Sequence, residues 1–189
     1  ILKNNTFIYF FIVFNSFIFT FYSGYRGVFP IDSFLVFNSG YNVFNNIHPF
    51  KDYWSVTGPL LDYFQSILFH IFNINWFSYI LHSALINSLL AVVCFYLFKN
   101  IGLNNFFSVS YSLSISVLAY PSAGTPFMDH HAVIFSLISI SYLTLAILKD
   151  KKKFWFLSSL FIVFSFFSKQ IPSAYIAFLT TLIILAYLF

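Results

Sequence analysis

Five aspartates make up the whole acidic complement of this chain, because its 189 residues contain no glutamate. Three of them, Asp32, Asp52 and Asp62, fall in the stretch from Gly27 to His70, GVFPIDSFLVFNSGYNVFNNIHPFKDYWSVTGPLLDYFQSILFH. A carboxylate is costly near hydrocarbon, so acids beside apolar runs are functional candidates by default. Asp32 comes just after Pro30 and an uncharged run, where a helix starts. A carboxylate placed there can take a proton from an attacking hydroxyl, general-base catalysis worth about 10²–10⁴ in rate. The same short acceptor side chain also suits a helix cap, and the two roles are compatible.

Asp129, in PFMDHHAVIF, opens a later apolar run, where the helix dipole favours a carboxylate. Asp129 with His130 or His131 makes a divalent cation one reading, but adjacent histidines point about 100° apart on a helix and cannot share one ion. No cofactor is assigned. His48, Lys51 and Asp52 lie in HPFKDYW, an irregular linker. A His or Lys at the interface can hold a lipid-linked phosphate as a charge-assisted donor. The plainer reading is a solvated loop with Tyr53 and Trp54 as interfacial aromatics. Lys169, in FFSKQIPS, interrupts two apolar runs. It either snorkels to the interface or contacts a phosphate. Asp62 and His70 fall on what reads as the solvated face of their helix, and His82 as a partner to a neighbouring helix.

The elements that must position these residues are membrane helices. Sixty per cent hydrophobic residues, seven per cent charged and a mean hydropathy of +0.85 exclude an ordinary soluble domain. Apolar segments at about 6–22, 76–98, 106–121, 132–148, 154–168 and 173–189 approach the roughly 20 residues that cross hydrocarbon. If each crosses once, Lys3, Lys99, Lys149 and Lys151 to Lys153 share one side, which the positive-inside rule places in the cytoplasm. The loop 23–75, the loop 122–131 and Lys169 then face outward. That parity requires residues 58–72 not to cross. Their apolar positions recur at helical spacing against Asp62, Gln65, Ser66 and His70, the pattern of a helix lying in the interface. A weaker version runs from Phe34 to Phe44.

The fold class expected is therefore an all-α polytopic transmembrane bundle, residues 1–189 as one domain, with two amphipathic juxtamembrane helices in the first outer loop. Long uninterrupted apolar runs disfavour a barrel. The single Cys94 forms no internal disulfide, and basic residues at span ends make nucleic acid an unsuitable partner for the net charge of +4. Beginning at Ile1 and stopping within an apolar run, the chain reads as the N-terminal part of a longer protein.

The order of features is similar to that of the polytopic glycosyltransferases of the GT-C type. That group contains protein O-mannosyltransferases, aminoarabinose transferases and bacterial RgtA/B/C/D-like enzymes. A span precedes PIDSF; an aromatic-and-acid linker, KDYW, precedes a Gly-Pro-Leu helix start; TPFMDHH supplies a second acid in the next outer loop. The resemblance implies an inverting transferase in the bacterial inner (plasma) membrane with its active face outward. It would move sugar from a polyprenyl-phosphate donor to a lipid, glycan or protein acceptor, as in lipopolysaccharide or protein glycosylation. It implies Asp32 as the catalytic acid of the first loop, Asp129 as that of the second, and Lys169 near the lipid phosphate. In this chain the first-loop acid stands alone, whereas the mannosyltransferases carry an acidic pair. The competing reading is a transporter or lipid flippase component. Such proteins place polar residues and broken helices near the midplane, whereas the charges here sit at span ends.

Overall fold

The computed structural model describes residues 2–27, 32–55, 57–119 and 124–188, without the side chains of residues 2–5 and Asp32. They form α1 (Leu2–Gly24), α2 (Asp32–Phe44), α3 (Leu60–Phe72), α4 (Trp76–Asn100), α5 (Asn105–Leu118), α6 (Met128–Lys149), α7 (Lys152–Ser168) and α8 (Gln170–Leu188). Among the described residues only an isolated bridge between Pro49 and Tyr53 is strand-like. Thr6–Gly24, α4, α6 and α8 are long and apolar enough to cross a membrane. The chain thus has the build of a helical membrane protein.

Two segments expected to cross fall short. The 14 residues of α5 span about 21 Å and the 17 of α7 about 26 Å, against roughly 30 Å of hydrocarbon. In α5 the serines shorten the apolar run. In α7 the three lysines before Phe154 and the break at Lys169 bound it. The two helices expected in the first loop are present as α2 and α3, each of 13 residues and too short to cross.

Side-chain caps set where helices begin. Asn75 accepts the amide of Ser78 at 2.8 Å before α4, and Asn104 that of Phe107 at 3.0 Å before α5. Asp150 closes α6 in the left-handed conformation, its amide donating to the Ala146 carbonyl at 2.8 Å, which allows the chain to turn at once into α7.

Helices α4 and α6 form the core, packing Leu90, Ile134 and Ile138 together, while α1 and α8 stay largely exposed on their outer faces. Because apolar contacts gain little in lipid, hydroxyls and amides join the helices. Asn87 donates to Thr20 Oγ1 at 2.6 Å and to the Ser116 carbonyl at 3.0 Å, and Ser16 and Ser116 meet at 2.7 Å. These tie α1, α4 and α5. Ser139 donates to the Ser158 carbonyl at 2.7 Å, joining α6 to α7.

The bundle has two chemically different ends. At one, Lys99 donates to the Leu103 carbonyl, and Tyr96 packs near Phe154 with Lys149 over its ring. The basic cluster 149–153 gathers there. At the other, Trp76 Nε1 donates to the Gly24 carbonyl at 3.0 Å, Tyr79 to the Pro126 carbonyl at 3.3 Å, and Ser33 meets Thr125 at 3.2 Å. This loop end holds α2, α3 and the linker between them. The linker is seated on α7, where the Gly58 amide donates to the Ser168 carbonyl at 3.3 Å. A β-carbon on Gly58 would collide with the backbone of Phe167. Gly58→Ala should therefore lower unfolding stability by about 1–3 kcal/mol, the usual cost of overpacking. Thermal unfolding in detergent measures it, and an unchanged midpoint would mean the seat is not tight.

Candidate functional site

Helix α3 is turned so that its polar side faces protein. Asp62 and Gln65 are 2% and 0% exposed, while Ile67 and Ile71 are exposed. This corrects the expectation of a solvated face for Asp62; His70 is exposed as expected, its ring tilted against that of Phe44 at 4.4 Å. The buried face of α3 is mixed, with Leu61, Leu68 and Phe69 beside Asp62, Gln65 and Ser66, and these polar residues are shielded from water.

The partners of Asp62 and Gln65 are specific. Ser39 of α2 donates to Asp62 Oδ1 at 2.6 Å, and the Tyr53 hydroxyl approaches Oδ2 at a long 3.4 Å. Gln65 Oε1 and His82 Nδ1 lie 3.0 Å apart, and the His82 ring stands edge-on to His131 at 4.9 Å. His131 Nδ1 donates to the Phe127 carbonyl at 2.9 Å. A buried polar chain thus links α3, α4 and the first turn of α6.

Opposite Asp62, Lys169 donates to Asp129 Oδ1 at 2.6 Å. This ion pair closes the loop end of the α6–α7 hairpin. Both groups are partly exposed, 34% for Lys169 and 42% for Asp129, so the pair contributes at most about 1 kcal/mol to stability. Between it and Asp62 lies a cavity of about 400 Å³. Leu35 and Ser39 line it from α2, Tyr53, Trp54, Ser55 and Thr57 from the linker, and Phe127 and Met128 from the α6 entrance. Aromatic rings therefore surround three ionisable groups.

The structure brings Asp129 and Lys169 together at this cavity. It does not bring the linker candidates His48, Lys51 and Asp52 with them. Lys51 and Asp52 are exposed, and the Asp52 carboxylate accepts the His48 amide at 2.8 Å, closing its own turn. His48 stacks on Tyr63, its Nδ1 lying 3.2 Å from that hydroxyl. His130 is half-buried beside Phe127 and His131 is fully buried. Among the described residues no three His, Cys, Asp or Glu side chains gather as a metal site. Asp32 is the first residue of α2, three before Leu35 and seven before Ser39, and its side chain lies outside the described residues. The family models, curated proteins and solved structures compared with the chain give no match. Asp62 is the site residue that sequence reading missed. Gly40, next to Ser39 on α2, lets the Gln65 side chain pack close against that helix.

Burial pushes the Asp62 carboxyl up to about 6, opposed by the hydrogen bonds from Ser39 and Tyr53. Burial, then the neighbouring Asp62 charge, raises the Tyr53 phenol. An acid whose folded pKa is raised stabilises the fold only while it is protonated. That contribution is complete below the ordinary value near 3.8 and lost as pH rises through about 6. Stability should fall by about 3 kcal/mol across that window. Asp62→Asn should flatten the fall; thermal unfolding at stepped pH reads this, and an unaltered slope in the variant would assign it to other groups.

Proposed function

We propose that the chain belongs to a membrane-embedded glycosyltransferase of the GT-C type. Such an enzyme would move a sugar from a polyprenyl-phosphate donor to a lipid, glycan or protein hydroxyl on the extracytoplasmic face. The observation that carries this reading is the loop-end cavity, which sets Asp62 opposite the Asp129–Lys169 pair, away from the lysine-rich end. A lipid-borne phosphate has to stay at membrane level while its sugar reaches polar catalytic groups. A cavity at the mouth of a short-helix layer meets that demand.

In this scheme Lys169 receives the donor phosphate. Its ammonium has three protons, so it can keep Asp129 while binding a phosphate oxygen and then stabilise the departing phosphate. Asp129 fixes the lysine in place. Aromatic side chains at Tyr53 and Trp54 cover the sugar. Asp32, the catalytic carboxylate by family resemblance, starts α2 in the helical register of Leu35 and Ser39. Direct displacement inverts the anomeric carbon. The positive-inside rule puts the end carrying Lys99 and residues 149–153 in the cytoplasm, and hence the cavity outside. The inner bacterial membrane is the compartment proposed.

Two measurements test this. Full-length protein in membranes, supplied with radiolabelled undecaprenyl-phosphate sugars, should transfer label to endogenous acceptors. Lys169→Ala should raise the donor KM at least tenfold, and Asp32→Asn should lower kcat. Transfer by none of the hexose or pentose donors would remove the reading. Separately, cysteines placed at Trp54 and Lys151 should react with an impermeant thiol reagent from opposite sides of sealed vesicles. Labelling of both from one side would reverse the assigned topology.

A further inference from the structure

We infer that Asp62 is the proton acceptor of the cavity, taking the proton of the acceptor hydroxyl as that oxygen attacks the donor sugar. This rests on the transferase reading above and assigns its base to a residue that the family resemblance does not mark. Three observations carry it. Asp62 lines the cavity although it is almost fully buried, which places its carboxylate where a ligand in the cavity would reach it out of bulk water. It has no cation partner among the described residues, whereas Asp129 is held by Lys169. Its two hydrogen bonds, from Ser39 and from Tyr53, fix its orientation and leave acceptor capacity on both oxygens.

The groups facing it are few. Tyr53 comes from the linker, Asp129 and Lys169 lie across the cavity, and His82 of α4 approaches through Gln65. Asp32 begins α2, its side chain outside the described residues. The raised carboxyl suits the role, because a base is most effective when its pKa lies near working pH.

The step balances without further reagents. The acceptor oxygen forms a bond to the anomeric carbon while the bond from that carbon to the phosphate oxygen breaks. The bonding pair leaves on the phosphate, beside Lys169, and the hydroxyl proton passes to Asp62.

The test uses full-length protein in lipid nanodiscs. A hydrophobic carbodiimide, which reacts with protonated carboxyls in apolar surroundings, should label Asp62 strongly at about pH 5 and weakly at about pH 7.5, as read by peptide mass spectrometry. No labelling, or labelling that ignores pH, overturns the inference. In the sugar-transfer assay, Asp62→Asn should lower kcat about 10²–10⁴-fold with little change in donor KM. Ser39→Ala, which removes the stronger hydrogen bond, keeps the base but should move the acid limb of the pH profile to higher pH. Asp32→Asn should lower the rate and leave that limb in place, and Asp150→Asn, at the lysine-rich end, should leave transfer unchanged. Wild-type transfer that survives in Asp62→Asn with the same profile overturns the inference alone. Absence of transfer in the wild type, with Asp62 labelled as described, overturns the transferase reading instead.

Discussion

The hydroxyl of Ser165 is the interaction on which the geometry of the loop end depends. It donates to the Ala132 carbonyl of α6 at 2.6 Å and lies 2.7 Å from Ser136 Oγ and 2.6 Å from Ser173 Oγ of α8. In hydrocarbon such a group finds no water, so these partners fix how far α7 slides along α6. Ala132 is three residues after Asp129, and Ser165 is four before Lys169. The lock therefore sits one turn below the ion pair and sets its register. A single interhelical bond of this type contributes only about 0.6 kcal/mol on average. Its importance here is positional, because one hydroxyl fixes three helices at once.

Above that lock, the layer formed by α2, α3 and the linker decides the electrostatics. The ion pair is neutral as a unit, which leaves Asp62 as the cavity's unbalanced carboxylate among the described residues. Its two donors are neutral, so they orient the charge without cancelling it. Burial and hydrogen bonding therefore act against each other on one group. This opposition keeps a buried carboxyl near the middle of the physiological range and not fully neutral.

Much of the helical layout was legible in the sequence because hydropathy and caps report it directly. The expected runs at 76–98 and 132–148 needed only their length, and they lie within the helices Trp76–Asn100 and Met128–Lys149. The short α3 was legible because apolar positions recur at helical spacing over a run too short to cross. The face it presents was not. A periodic pattern separates polar from apolar positions but does not say which medium each meets, and beside lipid the polar side turns inward. Asp62 was consequently given to solvent, although it is 2% exposed. Segments 106–121 and 154–168 looked equivalent to the longer spans because their apolar composition is similar, whereas the helices they form have only 14 and 17 residues. The convergence of Asp129 with Lys169, 40 residues apart, depended on the Ser165 register, which no local pattern reveals.

The seating of Gly58 on Phe167 and Ser168 has a mechanical corollary. The linker roof and the backbone leading into Lys169 are fastened together, so the roof cannot lift like a lid without dragging the ammonium away from Asp129. The open side of the cavity then lies beside the roof, where the ring of Trp54 stands 82% exposed.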